Sequence, residues 1–216
     1  LNGHSEQNER FREQLLVSVP LKKNLWQQTI KAKIANQAGL LAERGVSIQN
    51  MMFWVKEVQS GDKGYHEGRA AAYYWQNIFD FEGFKRGREE APPNNLLNYG
   101  YAILRAVCAR ALVGSGLLPA LGIHHANKYN AYCLADDIME PYRPFVDAVV
   151  CFLVEYYDDL SVLTTVLKSE LLKIPALDVT IDGKRSPLMV AMSRTTNSLH
   201  ECYCGISRKI LYPTYE

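Results

Sequence analysis

Asn95–Leu112, NLLNYGYAILRAVCARAL, is the stretch whose reading decides the fold. It is too long for an ordinary strand and holds no proline, and only Arg105 and Arg110 interrupt its apolar surface. It reads as a long core helix, broken afterwards by Gly114, Gly116 and Pro119. On its N-terminal side the glycines and charges from Phe81 to Asn95, with Pro92-Pro93, read as a loop. Before that loop, Asp62 follows a Ser60-Gly61 turn and can cap a helix carrying Glu67, Ala70, Ala71, Tyr74 and Ile78 on neighbouring turns. A helix is expected from Ser47 to Gln59. An earlier one has Leu25, Ile30, Ile34, Ala38 and Leu41 recurring at helical spacing between Lys22, Lys23, Lys31 and Lys33, with Gly39 or Gly45 as its stop.

On the C-terminal side, Leu134–Tyr157 reads as a helix bent or begun near Pro141, and Leu160–Leu172 as another stopped before Pro175. Residues 178–184, DVTIDGK, alternate and then turn at Asp-Gly, the signal of a small hairpin. Ser186-Pro187 opens a last helix to about Ile210. The expectation is a mainly α chain, an irregular helical bundle with one small β-hairpin near residues 178–185, forming a single domain over residues 1–216.

Apolar residues make up 48% and charged residues 22% of the 216, the balance of a globular protein and not of a disordered one. The apolar runs all carry charges, so no membrane span is expected. Leu1-Asn2-Gly3-His4-Ser5 has no leader pattern and reads as the interior of a longer chain. Five cysteines without a disulfide framework favour a reducing cytoplasm. Cys108 and Cys151 sit in apolar runs as core residues. His200, Cys202 and Cys204 would offer three soft ligands, but no fourth follows nearby, so a zinc site there is not the favoured reading. The net charge of +1 hides an asymmetry: residues 136–178 hold nine acidic and three basic side chains, leaving an excess of seven positive charges elsewhere, enough for a phosphate-attracting face if the fold gathers them.

Three segments concentrate groups able to hold a hard metal. Glu67 stands among small and aromatic residues in EGRAAAYYW, residues 67–75, where a carboxylate must be solvated, paired or bound to a cation. Lys63 and Arg69 are the local partners available to it. Leu121-Gly122-Ile123-His124-His125 offers two imidazoles that point about 100° apart on a helix, so one site would use only one. Asp136-Asp137-Ile138-Met139-Glu140 puts Asp137 and Glu140 three apart, on one helical face, although an N-cap at Asp137 with Glu140 closing a capping box explains the same spacing. Together these supply carboxylate, imidazole and carboxylate, a set suited to Mg²⁺ or Mn²⁺ with open positions for a phosphate.

Four stretches resemble the universal CRISPR adaptation integrase family in its type II form: residues 67–75, Asn95–Tyr101, Gly122 through His125 to Asn130, and Leu134–Pro144. The likeness runs over nearly the whole chain. It implies a metal-dependent DNA nuclease and strand-transfer enzyme of CRISPR spacer acquisition, in which a DNA 3′-hydroxyl attacks a repeat phosphodiester. It implies Glu67, His125 and Glu140 as metal ligands and catalytic residues with Mg²⁺ or Mn²⁺, and Asp137 as an auxiliary. Arg69, Tyr74, Lys128 and Arg143 are the candidates for DNA contact or packing beside the site. The implied partners are double-stranded and branched DNA (prespacer and CRISPR repeat), a second copy in the full-length form, and the second CRISPR adaptation protein. Members carry a β-rich N-terminal domain that is absent from these residues, so the chain looks like the helical lobe alone. Two other readings stand beside this one: a non-catalytic lobe that binds DNA or a partner, and an all-α isoprenoid synthase whose aspartate-rich motif Asp136–Glu140 resembles and which would hold magnesium on a diphosphate.

Overall fold

The structure is a computed structural model describing residues 6–81, 83–87 and 91–216. Leu1–Ser5 and, within the expected Phe81–Asn95 loop, residues 82 and 88–90 lie outside the described residues. The helices in chain order are α1 (Gln7–Leu16), α2 (Val19–Glu43), α3 (Gln49–Glu57), α4 (His66–Asn77), α5 (Asn94–Gly114), α6 (Cys133–Ile138), α7 (Arg143–Tyr156), α8 (Thr165–Leu171) and α9 (Leu188–Tyr203). A 3-10 turn, Glu140–Tyr142, separates α6 from α7. Three short strands, β1 (Asp178–Ile181), β2 (Lys184–Pro187) and β3 (Pro213–Thr214), complete the fold, which is mainly α as expected.

The core forms around α2 and α5. On α5, Leu96, Leu97, Leu104, Cys108 and Leu112 are fully buried, and the helix packs on α7 and α9. Each such leucine stabilises the fold by about 1.5–3 kcal/mol relative to exposure. Gly100 permits the α7 contact, because a Cβ there would stand 2.5 Å from Val146 Cγ1. By length and composition α5 could cross a membrane, with a mean hydropathy of 1.2, contrary to the expectation drawn from its arginines. Its apolar side nevertheless packs inside the bundle.

Ser18 caps α2, its Oγ accepting the Leu21 N–H at 3.4 Å, and Gly45 at φ 75° lets the chain leave the helix after Arg44. Gly39 does not stop α2. It sits inside the helix where Tyr215 crosses, and a Cβ would lie 2.8 Å from the Tyr215 carbonyl oxygen. α2 packs against α3, α4, α7 and the 3-10 turn, so one helix borders every segment that bears a candidate ligand except the histidine loop, which reaches it through Trp26.

The expected Leu134–Tyr157 helix is two helices. Pro141 and Pro144 cannot donate to a continuing ladder, and the chain passes through Glu140–Tyr142 before α7 begins at Arg143. The hairpin pairs β1 with β2 from Asp178↔Pro187 to Ile181↔Lys184, turning at Asp182 (φ 53°) and Gly183 (φ 67°), the left-handed pair of a type I′ turn. β3 adds a third strand, pairing Thr180↔Thr214 and Ile181↔Pro213. Two residues are too few to show alternation, which is why the sequence does not reveal it. α8 starts after its Thr164 cap and not at Leu160, and α9 ends at Tyr203, well before Ile210.

Candidate metal centre

Glu67 stands in the first turn of α4 because of a strained turn before it. Asp62 and Tyr65 both take positive φ, 48° and 52°, and the Asp62 carboxylate accepts the His66 and Glu67 N–H groups at 3.0 Å each. Asp62 thus caps α4 as expected and fixes the helix entry. Glu67 turns from Lys63 and Arg69 to a residue 34 positions earlier: Lys33 Nζ of α2 lies 2.7 Å from Glu67 Oε1. The same ammonium lies 2.7 Å from Glu140 Oε2. The two carboxylates therefore converge on one point, and a cation occupies it.

Burial by itself would push the Lys33 ammonium down, but Glu140 and Glu67 together outweigh it and hold Lys33 above its ordinary value. Burial likewise raises Glu140, and Lys33 with Arg143 reverses the sign, holding Glu140 below the usual carboxylate range. Arg143 forms an ion pair with the other oxygen of Glu140 at 2.9 Å. Glu140 is thus held by two cations, Lys33 on Oε2 and Arg143 on Oε1.

The third expected ligand, His125, sits on the loop between α5 and α6. Asp137, fully buried in α6, organises this loop: Oδ2 accepts the Ile123 and His124 N–H groups at 2.7 and 2.9 Å. Oδ1 accepts the His125 N–H at 3.2 Å and bonds His125 Nδ1 at 2.5 Å. Gly122 is required beneath it, since a Cβ would meet the His125 carbonyl oxygen at 2.2 Å and Asp137 Oδ2 at 2.8 Å. With Nδ1 engaged by a carboxylate, the His125 ring presents Nε2 outward, the arrangement that fixes a metal-ligating imidazole. The Asp137 bond raises His125 above the ordinary histidine value, against burial, and Glu140 and Glu67 add to the rise, so both acids stand within electrostatic reach of the ring. His124 instead stacks flat on Trp26, with centroids 4.1 Å apart and planes 2° from parallel.

Asp137 does not cap a helix, since it lies inside α6. It holds the histidine loop, and Glu140 follows in the 3-10 turn. Asp136 is engaged by Arg105 Nε at 2.7 Å and by Asn130. Asp137 is committed to the histidine loop and Asp136 to Arg105 and Asn130, which speaks for structural roles and against the isoprenoid-synthase reading. Tyr74 is wholly buried, its hydroxyl donating to Asp147 Oδ2 at 2.7 Å, so it presents nothing to DNA. Tyr101 donates to the other Asp147 oxygen at 2.5 Å and lies under the Arg143 guanidinium at 4.5 Å. These residues form a floor below Glu140. Arg69 and Lys128 are exposed. Among the described residues the three expected ligands do not close to mutual coordination distance. The group whose donor atoms all lie within 4.8 Å of one another is Glu13, His200 and Cys204. Sequence reasoning missed Lys33, Arg105 and Asp147.

The family model described as CRISPR associated protein Cas1 matches residues 3–158. The CRISPR-associated endonuclease Cas1 of Neisseria meningitidis serogroup C (strain 8013) is 40% identical over 187 residues, which is 86% of this chain and 61% of that protein. The chain thus spans about three fifths of the length of that curated relative. Among solved structures, a casposase bound to integration product aligns with a TM-score of 0.77 at 21% identity, covering 97% of this chain and 72% of that one. A partial Cas6-RT-Cas1–Cas2 complex aligns with a TM-score of 0.78 at 20% identity, covering 97% and 74%. At these identities the two structures share the fold.

Proposed function

The chain belongs to the Cas1 family of CRISPR-associated proteins, and from that premise we propose that it carries a divalent-metal centre for DNA cleavage and strand transfer in spacer acquisition. The convergence of Glu67 and Glu140 on one buried cation position, beside an imidazole oriented by Asp137, is the observation that carries this reading. The donor set fits Mg²⁺ or Mn²⁺: two carboxylates that already share one cation, and one imidazole. Glu67, Glu140 and His125 would hold the ion. When bound, it supplies charge neutralisation and alignment for an in-line attack at a phosphodiester.

The chain's own residues do the rest. Lys33 pairs with both acids and, with an ion between them, would remain a cation available to the phosphate. Arg143, tied to Glu140 and lying on Tyr101, brings a second positive charge to the same rim. Exposed Arg69 and Lys128 are candidates for backbone contacts further out. His125 must be neutral to offer Nε2, and its raised protonation range makes ion binding weaken as pH falls. DNA as substrate is supported by the printed descriptions of the relatives, an endonuclease and a casposase bound to integration product. Partnership with the second adaptation protein is supported by the Cas1–Cas2 complex of the same fold. Pairing of two copies in the full-length form belongs to the same proposal.

The test is a Mn²⁺ titration followed by melting. Mn²⁺ should raise the melting temperature of the wild-type chain and leave Glu67→Ala unmoved, and cleavage or rejoining of branched DNA should stop in a chelator. Equal shifts in both proteins would remove Glu67 from the centre.

A further inference from the structure

A second set of ligating side chains converges away from this centre. Glu13 on α1, His200 on α9 and Cys204 just beyond α9 bring three donor atoms together. His200 Nε2 lies 3.1 Å from Glu13 Oε2, Cys204 Sγ lies 3.0 Å from the same oxygen, and Sγ stands 3.4 Å from Nε2. A tetrahedral zinc-class ion, with bonds of about 2.0–2.1 Å to oxygen and nitrogen and about 2.3 Å to sulfur, needs ligand atoms roughly 3.3–3.6 Å apart. Each of the three edges is within about 0.5 Å of that face.

Local structure accounts for the convergence. His200 and Cys204 are one helical turn apart at the end of α9, and Gly205 at φ 74° turns the chain away behind them. Cys202, the third soft ligand in the sequence, is 1% exposed and points into the core. The fold replaces it with Glu13 from the other end of the chain.

The geometry points to Glu13, His200 and Cys204 as a second metal site, taking a zinc-class divalent ion with water in the fourth position. Without an ion the Cys204 thiol donates to Glu13, and burial together with that carboxylate pushes it up to about 12. Binding forms the sulfur–metal bond and releases the thiol proton to solvent. A thiolate and an imidazole select zinc, cobalt or copper over magnesium and manganese, so the two sites take different ions. The second site also has a structural consequence. Gln14 is the one buried residue of α1, and Leu15 and Leu16 are exposed, so little apolar packing holds this helix. Yet α1 props the chain leading to His125: Gln14 bonds the Leu118 N–H and carbonyl at 2.8 and 3.0 Å, and Arg10 donates to the Ser115 carbonyl at 3.0 Å. An ion joining Glu13 to α9 staples α1 in place and steadies that segment.

The experiment titrates the 216-residue chain, stripped by a chelator and dialysed, with Co²⁺. A sulfur-to-cobalt charge-transfer band and tetrahedral visible bands should appear, and one equivalent of Zn²⁺ should remove them. Cys204→Ser should abolish the charge-transfer band and weaken Zn²⁺ by more than the roughly 10- to 100-fold typical of losing an outer partner. Glu13→Gln should keep the band but shift it to higher Co²⁺, and Glu67→Ala should leave both unchanged, which separates failure here from failure of the Mg²⁺ or Mn²⁺ centre. A spectrum without the sulfur band, or a band that survives in Cys204→Ser, overturns the site. Should Cys204→Ser fail to fold by circular dichroism, Glu13→Gln decides alone, and an unchanged Zn²⁺ affinity overturns the proposal.

Discussion

Replacing Lys33 by methionine tests the centre most directly, because it keeps the aliphatic stem and removes the charge. The ammonium lies 2.7 Å from an oxygen of each of two carboxylates, and the Lys33 side chain is 11% exposed, Glu140 8%. Removing one partner of a buried ion pair costs about 3–5 kcal/mol, since the other charge stays behind. Arg143 still neutralises one oxygen of Glu140 and Glu67 is 29% exposed, so the lower end applies. At roughly 2–4 °C per kcal/mol for a chain of this size, the metal-free variant should melt about 6–12 °C below wild type. Mn²⁺ reverses the ranking of its effects. In wild type the ion must evict Lys33, whereas in Lys33→Met it meets two uncompensated acids, so it binds more tightly and its stabilisation grows. A hundredfold excess over the dissociation constant stabilises by about 2.7 kcal/mol, which would recover most of the loss. The assay is differential scanning fluorimetry with and without Mn²⁺, paired with calorimetric titration. A deficit of the same size at every Mn²⁺ concentration would mean that Lys33 only fills space, and would refute the shared-position argument.

Two further perturbations probe the layers around the ion. Asp137→Asn leaves the amide group facing donors that the second carboxylate oxygen now accepts, so Mn²⁺ affinity should fall about 10- to 100-fold as His125 loses its orientation; calorimetric affinity equal to wild type would show that the loop stands without it. Burial outweighs Tyr101, Tyr74 and Arg143 to push the Asp147 carboxyl up to about 6, from an ordinary 3.8, so the folded state keeps a proton that the unfolded chain releases between those values. Stability should therefore fall as pH rises through that window, by on the order of 3 kcal/mol, relative to Asp147→Asn, which cannot ionise. Urea unfolding of both proteins at pH 4 and 6 checks it, and a wild-type gain over the variant with rising pH would reverse the sign.

Much of the fold was legible because it rests on local rules. The apolar length of α5, the helical spacing in α2, the Asp62 cap and the Asp182-Gly183 turn each act within a few residues. What was not legible depends on distant partners. β3 is two residues whose only reason to extend is the free edge of β1, and Gly39 looked like a stop because Tyr215, 176 positions later, was unknown to it. The capping-box reading of Asp137 and Glu140 assumed a helix that starts at Asp137. Asp137 instead lies inside α6 and holds the histidine loop, while Glu140 opens the 3-10 turn that follows and pairs with Lys33 and Arg143.

The ligand set followed from chemistry and from the resemblance, but its cation could have been found in the sequence. Trp26, Thr29, Ile30, Gln37, Leu40 and Leu41 are all buried and form one stripe of α2. Lys33 falls on that stripe, three residues after Ile30 and four before Gln37. A lysine there cannot be a solvated surface charge: it must find an acid or lose its proton. Read together with Glu67, an acid among alanines, the two anomalies solve each other. A position where a buried and a half-buried acid are held by one lysine is also one where the fold has already met the cost of gathering negative charge, and a divalent ion needs that condition before it can bind.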